Sequence, residues 1–219
     1  MSGLLPGLYL VGLLGAYTAG FVFRRSRAGR GNSYLRSDVA YVLSPTVILL
    51  LAVLAPTIAQ FYYPMLLSVF QRDASAFVRG EWWRLVTPLF IQDGGVPGAI
   101  FNLFSLALVG SMAAKLWARW QVVSIFFLGG IVGEVAGLFW QPIGAGNSVG
   151  NISLAASVIV ACLTRRPSRA VLVLALLTGC AYVPLFVLRD IHGAAAVGGC
   201  GLAFVLSRFQ VQHRSVGQH

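Results

Sequence analysis

Seven apolar runs of 17–23 residues follow one another along this chain: Leu4–Phe23, Val39–Phe61, Pro97–Ala114, Gln121–Trp140, Asn147–Leu163, Ala170–Leu188 and His192–Phe209. About 20 apolar residues carry an α-helix once across the hydrocarbon core of a bilayer. In lipid each segment must satisfy its own backbone hydrogen bonds, so such runs have to be helical. The chain therefore reads as an all-α polytopic membrane protein. Composition excludes the alternatives. Apolar residues make up 58% and charged residues 10%, whereas a soluble domain carries roughly 25% charged residues. Cys162, Cys180 and Cys200 all lie inside apolar runs. They read as small apolar fillers, with neither a disulfide framework nor metal-ligand spacing.

The net charge is +10. In a soluble protein that would suggest nucleic acid, but here basic residues mark cytoplasmic loops. The first run could be a signal peptide. Its leading Met1–Gly3 is uncharged and arginines follow it, which is the reverse of a signal peptide's charge order. We read it as a retained span with its N-terminus outside. The cytoplasmic side then receives Arg24, Arg25, Arg27, Arg30, Arg36, Lys115, Arg119, Arg165, Arg166, Arg169, Arg208 and Arg214. The outside receives Arg72, Arg79, Arg84 and Arg189. That 12 to 4 split obeys the positive-inside rule, and the reverse orientation breaks it. The plasma membrane is the expected location. The organisation reads as residues 1–38, a helix and basic linker, then 39–209, a membrane domain, then 210–219, a short cytoplasmic tail. Pro64–Val96 is long and semi-polar, with tryptophans suited to the outer interface.

Polar residues within spans are expensive and mark function by default. Asn102 lies near the start of the third span, Asn147, Ser148, Asn151 and Ser153 open the fifth, and His192 opens the seventh. These three spans run in one direction, so Asn102, Ser148 and His192 share one depth, slightly below the outer surface. A hydroxyl, a base and an amide donor are the parts of a nucleophilic site. His192 is the one histidine before the tail, so a histidine base must be His192. Glu134 lies mid-span with no basic partner in the neighbouring spans, and reads as a buried polar pair in preference to an ion site. Gly129, Gly133 and Gly137 form a small-residue row, as do Ala195 and Gly199, suited to close helix packing.

Four segments carry a family resemblance: Gly80-Glu81-Trp82-Trp83-Arg84-Leu85-Val86-Thr87-Pro88-Leu89-Phe90; Ile100-Phe101-Asn102-Leu103; Gly146-Asn147-Ser148-Val149-Gly150; and His192 with Ala195 and Gly199. Over roughly Val39–Phe209 the chain resembles the rhomboid intramembrane serine proteases. The resemblance implies a six-helix core with one extra N-terminal transmembrane helix. It implies Ser148 as nucleophile, His192 as base and Asn102 as oxyanion donor. Gly146, Gly150, Trp83 and Arg84 would be structural residues near the site. It implies transmembrane protein substrates, a lipid bilayer as surroundings, no metal or cofactor, no nucleic acid and no soluble partner. Three positions depart from the family pattern: Val149 stands for a glycine, Ile152 for an aromatic residue that packs on the histidine, and Gly98 for a histidine that donates to the oxyanion. These departures motivate an alternative, a pseudoprotease that binds transmembrane clients without cutting them. A Glu134-based transporter is a third reading, without paired ionisable residues to support it.

Overall fold

The computed structural model describes residues 4–28, 44–165 and 167–216. Arg30, Arg36, Arg166 and the beginning of the expected second span lie outside the described residues, as does the side chain of Arg214. Helices α1 (Leu4–Ala28), α2 (Pro45–Tyr62), α3 (Met65–Phe70), α4 (Ala74–Val78), α5 (Gly95–Leu116), α6 (Arg119–Trp140), α7 (Ser148–Leu163), α8 (Arg169–Val187) and α9 (Ile191–Val216) follow in order. Six of them, all but α3, α4 and α7, are long and apolar enough to cross a membrane. The last apolar span ends at Phe209, but its helix does not end there. No proline or glycine interrupts the sequence there, and α9 runs on to Val216.

Helix α7 is the centre of the bundle. It packs on α1, α5, α6 and α9, and nearly every residue from Val149 to Cys162 is buried. Its 16 residues rise about 24 Å at 1.5 Å per residue, shorter than the ~30 Å hydrocarbon core. An end of α7 must therefore sit inside the membrane profile. Small residues permit the close packing. A Cβ added at Gly133 would stand 3.1 Å from both Val149 of α7 and Ala195 of α9, and one at Gly129 would collide with Ser153. Gly137 serves a different purpose from the packing expected of its row: it makes room for the guanidinium of Arg72.

The long segment between α2 and α5 folds into short pieces. Besides α3 and α4 it holds 3-10 turns at Trp82–Leu85 and Thr87–Phe90. A two-residue strand, β1 (Arg72–Asp73), pairs antiparallel with β2 (Ile143–Gly144) in the α6–α7 loop. Asp73 caps α4, its Oδ1 accepting first from the Ser75 hydroxyl and then from the N–H of Ala76 and of Ser75. These bonds hold its carboxyl below the usual aspartate range. Arg84 donates to Glu81 and to the carbonyls of Ser68 and Gln71, so it braces this segment upon itself. Trp82 and Trp83 remain exposed, as interfacial rings do.

The ionic pattern corrects one expectation. Glu134 of α6 does have a basic partner, but it comes from the loop. Arg72 Nη1 lies 2.5 Å from Glu134 Oε2, with both side chains at most 2% exposed, and Arg72 Nε donates to the Gln141 carbonyl. Arg72 is thus an interior residue instead of an interfacial charge.

The two ends of the bundle differ. At one end the C-termini of α1, α5 and α7 meet: Arg27 donates to the Arg165 carbonyl, and Arg165 donates to the Leu116 carbonyl. Helices α1, α5 and α7 therefore run in one direction, and Asn102, Ser148 and His192 all belong to the opposite end.

Candidate active site

Local sequence sets the turn that presents Ser148. Gly146 adopts φ +148°, a region that favours glycine, and its N–H donates to the Pro88 carbonyl. Asn147 follows as N-cap, and Ser148 is the first residue of α7. The first N–H groups of a helix have no partner within it and carry a partial positive charge. Val149 continues as ordinary buried helix, so the residue that needs special backbone freedom is Gly146.

The histidine is placed by an equally tight turn. Arg189 takes φ +56° and ends α8, and the Asp190 N–H returns to the Leu185 carbonyl. Asp190 then starts α9. Its Oδ1 accepts from the His192 backbone N–H at 2.9 Å and stands 2.5 Å from His192 Nδ1. Its Oδ2 accepts from Gln141 at 3.3 Å. Burial alone would raise the Asp190 carboxyl. The hydrogen bonds from His192 and Gln141, with the charge of His192, outweigh that and hold it below the ordinary aspartate value. An ionised carboxylate only accepts, so in the neutral imidazole Nδ1 carries the proton and Nε2 is left as an acceptor. Nε2 lies 2.9 Å from Ser148 Oγ.

Asn102 lies two turns into α5, deeper than the apolar run suggested, because the helix begins at Gly95. Its Nδ2 donates to Gln92 Oε1 at 2.8 Å, leaving its second N–H for another acceptor. Gln92 donates onward to Asn147 Oδ1. Gln60 of α2 clamps the Gln92 backbone at both its N–H and its carbonyl. Asn147 and Asn151 both donate to the Asn102 carbonyl. A Cβ built on Gly146 would stand 3.3 Å from Asn102 Nδ2 and 3.5 Å from Ser148 Oγ. The glycine therefore keeps open a small space that both groups border.

Ser148, His192 and Asn102 thus border one cleft of about 410 Å³, which Leu5, Pro6 and Tyr9 of α1 also line. Gly146 adjoins it. Gly150, two residues past Ser148, makes room for the Phe126 ring of α6. Trp83 and Arg84 lie in the loop brace described above. Asp190, Gln92 and Tyr9 carried no weight in the sequence reading. Asp190 had a local signal, an acidic residue two places before His192 at the start of a helix. Gln92 and Tyr9 had none.

The Rhomboid domain family model matches residues 79–209, more than half of the chain. Among curated proteins, the chain is similar to Rhomboid protease GluP of Bacillus subtilis (strain 168), 28% identical over 81 residues, 37% of this chain and 16% of that one. It is 34% identical over 55 residues to RHOMBOID-like protein 9, chloroplastic, of Arabidopsis thaliana, 25% of this chain and 12% of that one. It is 26% identical over 106 residues to YdcA of Bacillus subtilis (strain 168), 46% of this chain and 53% of that one. The matches span about half of the last relative and a much smaller part of the first two.

Proposed function

The chain belongs to the rhomboid family, and on that premise we propose that it is an intramembrane serine endopeptidase cutting transmembrane protein substrates. The observation that carries the reading is the unbroken line from Asp190 Oδ1 to His192 Nδ1 and from His192 Nε2 to Ser148 Oγ.

In this mechanism His192 Nε2 takes the hydroxyl proton of Ser148 as Oγ bonds to the scissile carbonyl carbon. The carbonyl π electrons move to the oxygen. The oxyanion enters the space beside Gly146, between the Asn102 amide and the Ser148 N–H, where the start of α7 adds positive potential. As the tetrahedral centre collapses, the C–N bond breaks and His192 gives its proton to the departing amine. Water then attacks the acyl-serine, His192 taking its proton, and the second collapse returns a proton to Ser148 Oγ. Asp190 holds the imidazole and stabilises its cationic form without itself becoming protonated.

Orientation is part of the proposal. Arg24, Arg25, Arg27, Lys115, Arg119, Arg165, Arg169 and Arg208 belong to the end opposite the cleft. The positive-inside rule assigns that end to the cytoplasm, so the cleft opens toward the outer face of, we propose, the plasma membrane. Because α7 is short, Ser148 is recessed below that face, where a substrate helix must partly unwind to present a peptide bond.

The test is labelling of the purified protein in detergent by a fluorophosphonate serine probe. Wild type is labelled, and Ser148→Ala and His192→Ala are not. A folded wild type that resists labelling overturns the protease reading and favours the client-binding one.

A further inference from the structure

The His192 imidazole hangs from Cβ and is held at both ring nitrogens by hydrogen bonds, but its side chain is 21% exposed, and only a packing contact keeps the ring from rocking about χ1 and χ2. Such rocking would bend the Nε2···Ser148 Oγ hydrogen bond, and hydrogen bonds weaken steeply away from linearity. Helix α7 does not supply an aromatic wall, because one turn beyond Ser148 it carries Ile152. The wall comes from α1. The Tyr9 ring meets the His192 ring edge-on, with centroids 4.9 Å apart and planes at 66°, an arrangement favoured by the aromatic quadrupole. Tyr9 is itself fixed. It is 6% exposed, and its ring packs on Phe101 of α5 at 5.5 Å.

The register of α1 is fixed as well. Gly12 and Gly15 let Tyr182 and Thr178 of α8 press against its backbone, and Gly20 accommodates Met112 of α5 and Val158 of α7. A slide or turn of α1 is blocked at these contacts, so Tyr9 reaches His192 at a defined height.

We propose that α1 is a working part of the active site and that Tyr9 is a positioning residue, its ring setting the tilt of the His192 imidazole toward Ser148. The proposal rests on the serine-protease reading above. The extra helix then does more than anchor the chain: it supplies the third fixed contact of the base and closes the cleft beside it with Leu5 and Pro6.

The experiment measures fluorophosphonate labelling of the full chain in detergent against probe concentration, separating the maximal rate from the half-saturating concentration. Tyr9→Leu lowers the maximal rate between about ten- and a hundredfold, as small misplacements of a reacting group do, with little change in half-saturation. Tyr9→Phe, which keeps the ring, restores the rate to within about twofold of wild type. Leu13→Ala, which loosens the buried face of α1 away from the histidine, changes the rate less than about threefold. Gel filtration and thermal melting establish that each variant is folded. Equal losses in Tyr9→Leu and Leu13→Ala, no loss in Tyr9→Leu, or no rescue by phenylalanine overturns the positioning role. Should Ser148→Ala label like wild type, the protease reading itself fails and the role of Tyr9 falls with it. Loss of labelling in Ser148→Ala beside an unaffected Tyr9→Leu sinks the positioning role alone.

Discussion

Asp190 Oδ1 stands 2.5 Å from His192 Nδ1 and also accepts the His192 backbone N–H. One carboxylate oxygen thereby caps α9 and favours one tautomer of the neutral His192 ring, which ties the start of the helix to the proton position on its second residue.

Asp190→Asn offers an amide in place of an obligatory acceptor, and the imidazole loses its preference for the productive tautomer. The turnover of a cleavable transmembrane reporter should fall about 10²–10⁴-fold, with KM little altered. An unchanged kcat would remove Asp190 from the mechanism.

The same carboxyl gives a pH signature. Its folded pKa is depressed, so its contribution to stability is fully present above the ordinary aspartate value of about 3.9 and is lost as pH falls through the lower folded value. The difference in melting temperature between wild type and Asp190→Asn in detergent should hold from pH 7 down to about pH 4 and shrink below it. A difference that vanishes already near pH 6 contradicts this assignment.

Asn102→Ala removes the side-chain donor that the proposed mechanism places at the developing oxyanion. Loss of one such donor costs about 10²–10³-fold in kcat, and because the interaction belongs to the transition state KM should stay near wild type. Steady-state kinetics on the same reporter separates this from a binding defect, which would appear mainly in KM.

Gly146→Ala strikes the same space sterically. The new methyl group would stand 3.3 Å from Asn102 Nδ2 and 3.5 Å from Ser148 Oγ, at a φ of +148° that side chains rarely adopt. Fluorophosphonate labelling should drop at least about a hundredfold while gel filtration shows a folded protein. Labelling at the wild-type rate would mean that the oxyanion lies elsewhere.

Arg72→Met leaves Glu134 buried without its partner. Breaking a buried pair from one side costs about 3–5 kcal/mol, whereas replacing both members by apolar residues is often neutral. Thermal melting in detergent should show a large loss for Arg72→Met and recovery of most of it in Arg72→Met with Glu134→Leu. Equal melting of the single and double variants would argue that the pair is not coupled.

Much of the architecture was legible because lipid leaves a chain few options. Long apolar runs must be helices, and helices joined by short loops must alternate in direction. That alternation alone brings the starts of the third, fifth and seventh runs to one end, and with them Asn102, Ser148 and His192. Helix ends were less legible. Gly95 starts α5 before the run turns strongly apolar, and α9 continues past Phe209 because helix formation does not require apolar residues once no breaker intervenes.

The sequence by itself determined the all-α membrane class, the charge asymmetry between the two ends, and which polar residues share a depth. Parity and hydropathy act along the membrane normal, and these properties lie along it. Only the tertiary structure decided what lies around that axis: that Asp190 turns back onto His192, that Arg72 leaves the loop to meet Glu134, that Gln92 joins Asn102 to Asn147, and that Tyr9 of α1 reaches the imidazole. The rotation of each helix about its own axis, and the neighbour it turns toward, follow from side-chain packing between segments far apart in the chain, and no local pattern of residues encodes them.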